Sequence, residues 1–181
     1  MVKHVVLVGL PGVGKSTVGR AVAGKLGRPF VDLDVQIERS FGKSVSRIFG
    51  EDGEATFRNA EVEVTALVAE TSPAVIAPGG GWVLNSLATA HLRDRGRIIY
   101  LRVSPDGAVQ RMGRGIARRP LLRAAPDPRE TLRLMYEFRR PLYEGCSEIT
   151  VETSGVGRSN VIAMVVERVL AAERGIATEN D

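Results

Sequence analysis

The chain has 181 residues, 44% of them hydrophobic and 25% charged, enough apolar side chain for one substantial core and too little length for two comfortable domains. One cysteine (Cys146) and two histidines (His4 and His91) exclude disulfide frameworks, zinc clusters and histidine-based triads, and make a reducing cytoplasm the expected compartment. The net charge of +4 is shared among residues of both signs along the chain, a balance that suits small anionic ligands as well as a polymer.

The first run, HVVLVG (4–9), has no polar alternation, so it predicts a strand buried on both faces, the pattern of a parallel sheet covered by helices. It is too short to cross a membrane and leads into a glycine loop rather than a cleavage site. That loop, GLPGVGKST (9–17), is followed by TVGRAVAGKL (17–26), which has helical spacing. Four more apolar, β-branched runs predict strands: PFVDL (29–33), AVIAP (74–78), RIIYLRV (97–103) and EITVE (148–152). Helical stretches separate them, and the alternation argues for a doubly wound α/β domain.

Two stretches depart from that rhythm. The connection from Asp34 to Thr71 is far longer than the roughly dozen residues a crossover helix needs, and glycines at 42, 50 and 53 are expected to break it into helical pieces. It predicts a helical insertion, over about 34–62, that sets substrate specificity. Residues 111–140 then carry nine arginines against three acids. Their first part, GRGIARRPLLRAAPDP (113–128), has the glycines and prolines of a mobile loop, a lid over about 113–127. Their second, RETLRLMYEFRR (129–140), reads as a helix. The final ERGIATEND (173–181) is expected to fray.

Gly9, Gly14, Lys15 and Ser16 fill the pattern GxxxxGK[ST]. Glycines let backbone N–H groups converge on phosphate oxygens, the helix that follows presents its positive end, Lys15 reaches the β- and γ-phosphates, and Ser16 can ligate magnesium. Such a magnesium ion also calls for a carboxylate. The third strand, AVIAPGGG, ends without one. The candidates are Asp32 and Asp34 in FVDLD, at the end of the second strand and facing the same crevice. One could serve the metal and the other a substrate hydroxyl; alternatively, either could simply cap the helix DVQIERS. No NKxD sequence specifies guanine. A small phosphotransferase acting on a small acceptor is left as the leading reading.

The segments GLPGVGKST, DLD (32–34), IFGEDGEATFRNAE (48–61), APGGG (77–81), RRPLL (118–122) and FRRPLYE (138–144) together resemble the shikimate kinase family, in order and spacing, from residue 4 to about 170. The resemblance implies a P-loop, nucleoside-monophosphate-kinase-like α/β fold. Its five-stranded parallel sheet would have the order 2-3-1-4-5, within a single domain over 1–181. It implies transfer of the ATP γ-phosphate to the 3-hydroxyl of shikimate with Mg2+, in aromatic amino-acid biosynthesis.

By the same resemblance Gly12, Val13, Gly14, Lys15, Ser16 and Thr17 would hold the nucleotide, with Arg111 beside the adenine. Lys15 and Arg119 would contact the transferred phosphate, while Ser16 and Asp32 would serve the metal. Asp34 would orient the accepting hydroxyl. Arg58 and Arg139 would bind the substrate carboxylate, Gly79, Gly80 and Gly81 the ring, and Phe49, Phe57 and Glu61 would frame the pocket. These residue types suit a carboxylated polyol, which needs planar guanidinium forks, a hydroxyl acceptor and close backbone approach.

Competing readings stand beside each of these. Arg58 could be a helix-surface partner of Glu61 at i+3, the triple glycine a plain turn, and most of the nine arginines solvated. Trp82 suggests a bulkier pocket rim than in many relatives. SGVGRSN (154–160) offers only Arg158, out of place, on the adenine side. The chain is expected to be a monomer, with no nucleic-acid or membrane partner. Other small-metabolite kinases, such as one for gluconate, and a nucleotide-dependent nucleic-acid-binding module are the alternatives.

Overall fold

The computed structural model describes residues 2–113, 122 and 125–175. Five parallel strands form one sheet in the order β2-β3-β1-β4-β5, as the resemblance implies. They are β1 (His4–Val8), β2 (Phe30–Asp32), β3 (Val75–Ala77), β4 (Gly96–Arg102) and β5 (Ile149–Glu152). Every residue of β1 is buried, which is why its sequence shows no alternation. Val6 sits between Ile76 of β3 and Ile98 of β4. Among the described residues, eight α-helices accompany the sheet: α1 (Lys15–Leu26), α2 (Leu33–Phe41), α3 (Val45–Glu51), α4 (Glu54–Ala69), α5 (Ser86–Arg93), α6 (Pro105–Met112), α7 (Pro128–Cys146) and α8 (Arg158–Glu173). Among the described residues, no helix is long and apolar enough to cross a membrane.

The long connection forms α2, α3 and α4, held by a small separate core of Ile37, Ile48, Phe57 and Ala60. Two of its glycines punctuate it as expected. Gly42 ends α2 in the left-handed region at φ +64°, a conformation cheap only for glycine, and Gly53 precedes α4. Gly50 instead lies inside α3, so it breaks nothing.

The helix read over 129–140 continues to Cys146 with Pro141 inside it. Proline deprives the Glu137 carbonyl of its usual donor, yet buried Leu132, Arg139 and Tyr143 pin both sides of the break. The arginine run resolves into exposed ion pairs, Arg133 with Glu130 and Glu137 and Arg140 with Glu144. Arg139 is its only described buried member. Trp82 does not enlarge the pocket rim: its side chain is wholly buried in the main core and its Nε1 donates to Thr65 Oγ1 at 3.2 Å. The last helix ends at Glu173, and residues 176–181 of the terminus lie outside the described residues.

Candidate active site

The carboxyl ends of β1, β2 and β3 open on one cleft of about 750 Å³. Its floor is the glycine loop, with Gly12 and Gly14 at φ +88° and +102°. A Cβ at Gly12 would also lie 2.5 Å from Met112 Cγ and 2.9 Å from the Ala108 carbonyl, so this position has no room for a side chain. The start of α1 carries no side-chain cap and no acid in its first turn, which leaves its N–H groups and positive end for an anion. Lys15 is buried and donates from Nζ to the carbonyls of Gly9 (2.8 Å) and Leu10 (3.1 Å). Ser16 and Thr17 line the cleft beside it.

The cap read as an alternative for Asp32 is present. One carboxylate oxygen accepts from Val35 N at 3.4 Å and caps α2, while the other accepts from Ser16 Oγ at 2.7 Å. A hydroxyl and a carboxylate side by side, facing a phosphate loop, suit a hard cation that keeps waters and phosphate oxygens for its remaining positions. Among the described residues no group of three or more His, Cys, Asp or Glu could hold a metal by itself, in keeping with that partial set. Asp34 does not cap; it sits in the first turn of α2 and lines the cleft.

The opposite wall belongs to the helical insertion. Arg58 Nη1 reaches both carboxylate oxygens of Glu61, at 3.3 and 3.1 Å, and its Nη2 reaches Glu54 at 3.1 Å. The ion pair read as an alternative for Arg58 is therefore present, inside the cleft rather than on an outer face. Burial pushes the Glu61 carboxyl above its ordinary range, against the opposing pull of Arg58. Phe49 and Phe57 pack with ring centroids 4.7 Å apart, and the Arg58 guanidinium lies 5.4 Å from the Phe57 centroid.

Arg139 comes from α7 and donates through Nη1 to the Gly80 carbonyl at 3.1 Å. None of Gly79, Gly80 and Gly81 has a positive φ, so a turn requirement does not explain the three glycines. Close approach does. A Cβ at Gly79 would stand 2.8 Å from Asp34 Oδ1, one at Gly80 2.9 Å from Pro11 Cδ, and one at Gly81 2.8 Å from Arg58 Nη2.

Arg111 donates to Val13 O (3.2 Å), to Thr153 Oγ1 (2.8 Å) and to Thr153 O. It ties the glycine loop to the end of β5 and lines both the main cleft and an adjoining one with Ser154 and Gly155. Val13 is buried behind the loop, so only its backbone can take the expected part. Arg158 is exposed at the start of α8. Arg119 lies outside the described residues, as does most of the expected lid over 113–127, apart from its ends and the buried, cleft-lining Leu122. Sequence reasoning missed Asn85, whose Nδ2 donates to Arg58 O (2.9 Å) and Glu61 Oε2 (3.2 Å). Its only local signal is that of an N-cap for α5, which it also is.

A family model described as shikimate kinase matches residues 11–170. The chain belongs to the shikimate kinase family. The shikimate kinase of Symbiobacterium thermophilum is 42% identical over 173 residues, covering 95% of this chain and 98% of the relative. That of Thermobifida fusca is 46% identical over 149 residues, covering 82% and 84%. Among solved structures, shikimate kinase from Acinetobacter baumannii in complex with shikimate superposes with a TM-score of 0.89 at 33% identity, covering 96% of each chain.

Proposed function

We propose that this kinase transfers the γ-phosphate of ATP to the 3-hydroxyl of shikimate, in aromatic amino-acid biosynthesis, as a monomer in the cytoplasm. The observation that carries the reading is a single cleft joining two half-sites. A glycine loop with Lys15 and Ser16 lies on one side, and Asp34, Arg58 and Arg139 lie on the other. All of these groups come from one chain.

In this reading the arginine forks of Arg58 and Arg139 take the substrate carboxylate, the glycine backbone takes the ring, and Phe49 and Phe57 close its sides. Asp34 orients the accepting hydroxyl and receives its proton as the oxygen bonds to the γ-phosphorus and the bond to the bridging oxygen of ADP breaks. Phosphoryl transfer demands mainly positioning and charge neutralisation. Lys15, now held on its own loop carbonyls, turns to the transferred phosphate, and Arg119 adds a second positive charge there. Ser16 and Asp32 would hold magnesium, which supplies further neutralisation of the phosphates when bound. Arg111 borders the adenine.

The test is ADP release from ATP and Mg2+ with shikimate, gluconate or a nucleoside monophosphate as acceptor. Turnover that depends on shikimate alone is expected; folded protein that ignores shikimate, or prefers another acceptor, overturns the proposal.

A further inference from the structure

The carbonyl of Gly80 accepts two hydrogen bonds from α7, one from Arg139 Nη1 at 3.1 Å and a shorter one from Tyr143 Oη at 2.6 Å. The two donors are four residues apart and so share one helix face. On its other side Gly80 is pressed against Pro11 of the glycine loop. This peptide therefore lies where the phosphate side and the carboxylate side of the cleft meet. Tyr143 is buried at 1% exposure and its ring stacks on Tyr100, centroids 5.1 Å apart. It does not line the cleft.

We infer that Tyr143 is a positioning residue for acceptor binding: its hydroxyl fixes the Gly80 peptide and thereby aims the Arg139 guanidinium into the cleft. The inference rests on the shikimate reading of that cleft. A carbonyl already satisfied by a short phenolic hydrogen bond draws less on Arg139, which keeps its other N–H groups for a substrate carboxylate. Remove the phenol, and of these two side-chain donors only Arg139 is left to the half-buried Gly80 carbonyl. The fork is then pulled toward Gly80 and away from the ligand. Burial pushes the Tyr143 phenol up to about 12, so the hydroxyl donates throughout the working pH range.

Steady-state kinetics of Tyr143→Phe, which keeps the stacked ring and loses only the donor, test the inference. The shikimate KM is expected to rise about fivefold to thirtyfold, the scale of one hydrogen bond to or through a charged group. The ATP KM and kcat should stay within about twofold. A merely structural tyrosine would lower the melting temperature without this split. In an Arg139→Lys background the same change should cost less than about twofold in shikimate KM, because residues acting through one another are not additive. Tyr100→Phe is the packing control, since the Tyr100 hydroxyl has no hydrogen-bond partner among the described residues, and its KM values should not move. An active wild type with an unmoved shikimate KM in Tyr143→Phe, or an undiminished effect in the lysine background, overturns the inference alone. A wild type that does not use shikimate overturns the reading of the cleft and the inference with it.

Discussion

Arg58 Nη1 lies 3.1 Å from Oε2 of Glu61, a carboxylate on the next turn of α4 with only 1% of its surface exposed. Asn85 Nδ2 completes the arrangement by bonding both the Arg58 carbonyl and that carboxylate. The pair holds a guanidinium at the cleft wall that would otherwise sample many rotamers, and in the proposed reading it would set the orientation in which a substrate carboxylate meets it.

Glu61→Gln should keep the shape of this contact and lose its charge. We expect the shikimate KM to rise about tenfold, as when one partner of a charge-assisted hydrogen bond is neutralised, with the ATP KM unchanged. The pH dependence has a definite sign. Burial raises the Glu61 carboxyl above its ordinary value, so on acidification it loses its charge earlier than an exposed glutamate. The wild-type shikimate KM should climb as pH falls through that raised range, and the glutamine variant should not show this component. Parallel profiles for the two proteins would show that Glu61 does not orient Arg58.

Asp34→Asn should lower kcat by about a hundredfold or more, the scale of a positioned proton acceptor, with a smaller change in shikimate KM. Turnover near the wild-type value would remove Asp34 from the chemical step.

The triple glycine offers a sharper test, because a Cβ at two of its positions meets the far ends of cleft-lining side chains. In Gly79→Ala the methyl would displace Asp34, and in Gly81→Ala it would displace Arg58. Neither position has a positive φ, and flexible side-chain ends can move, so melting temperatures should stay within a few degrees. A shift of about 1 Å in a reacting group can cost about a hundredfold. We therefore expect Gly79→Ala to lose mainly kcat and Gly81→Ala mainly shikimate affinity. Wild-type activity in both variants would show that the close approach of Gly79 and Gly81 does not position Asp34 and Arg58 for the reaction.

His4 sets an acid limit on stability. Its Nδ1 accepts the Ala74 N–H at 3.0 Å and its Nε2 lies 3.4 Å from the Ala69 carbonyl, so the fold requires the neutral ring. Burial is the main cause of its lowered pKa, helped by Arg95 and Arg28 and opposed by the Ala69 carbonyl. A depressed folded value means the stabilisation is present above about pH 6.5, the unfolded value. It is lost as pH falls through the lower folded value. Thermal melts between pH 7.5 and 5 should show a wild-type decline that is shallower in His4→Phe; identical slopes would be falsifying.

The local signals in the sequence were strong where they concern the backbone. An uninterrupted apolar β1 announced its own burial on both faces. GLPGVGKST fixed a phosphate loop because its positive-φ glycines and the helix start behind it are consecutive in the chain. Asp32 and Asp34 were readable as acids of the cleft once AVIAPGGG offered none, and the capping of α2 by Asp32 was legible in DLD. Where reading failed, local grammar pointed the wrong way. Gly50 looked like a breaker and sits inside a helix, and the helix read over 129–140 runs on through Pro141 to Cys146 between anchored flanks.

The sequence by itself determined the strand and helix order, the phosphate loop and the kinds of group available for an acceptor carrying a carboxylate and hydroxyls. Tertiary structure alone decided which members of those sets meet. It buried Arg139 while leaving Arg133 and Arg140 in solvent pairs, turned Trp82 into the core, and pressed Gly79 and Gly81 against Asp34 and Arg58. The physical reason is range. Periodicity, caps and φ preferences act within a few residues, whereas contacts such as Asn85 with Glu61 and Tyr143 with Gly80 span 24 and 63 residues and arise only when separate elements pack.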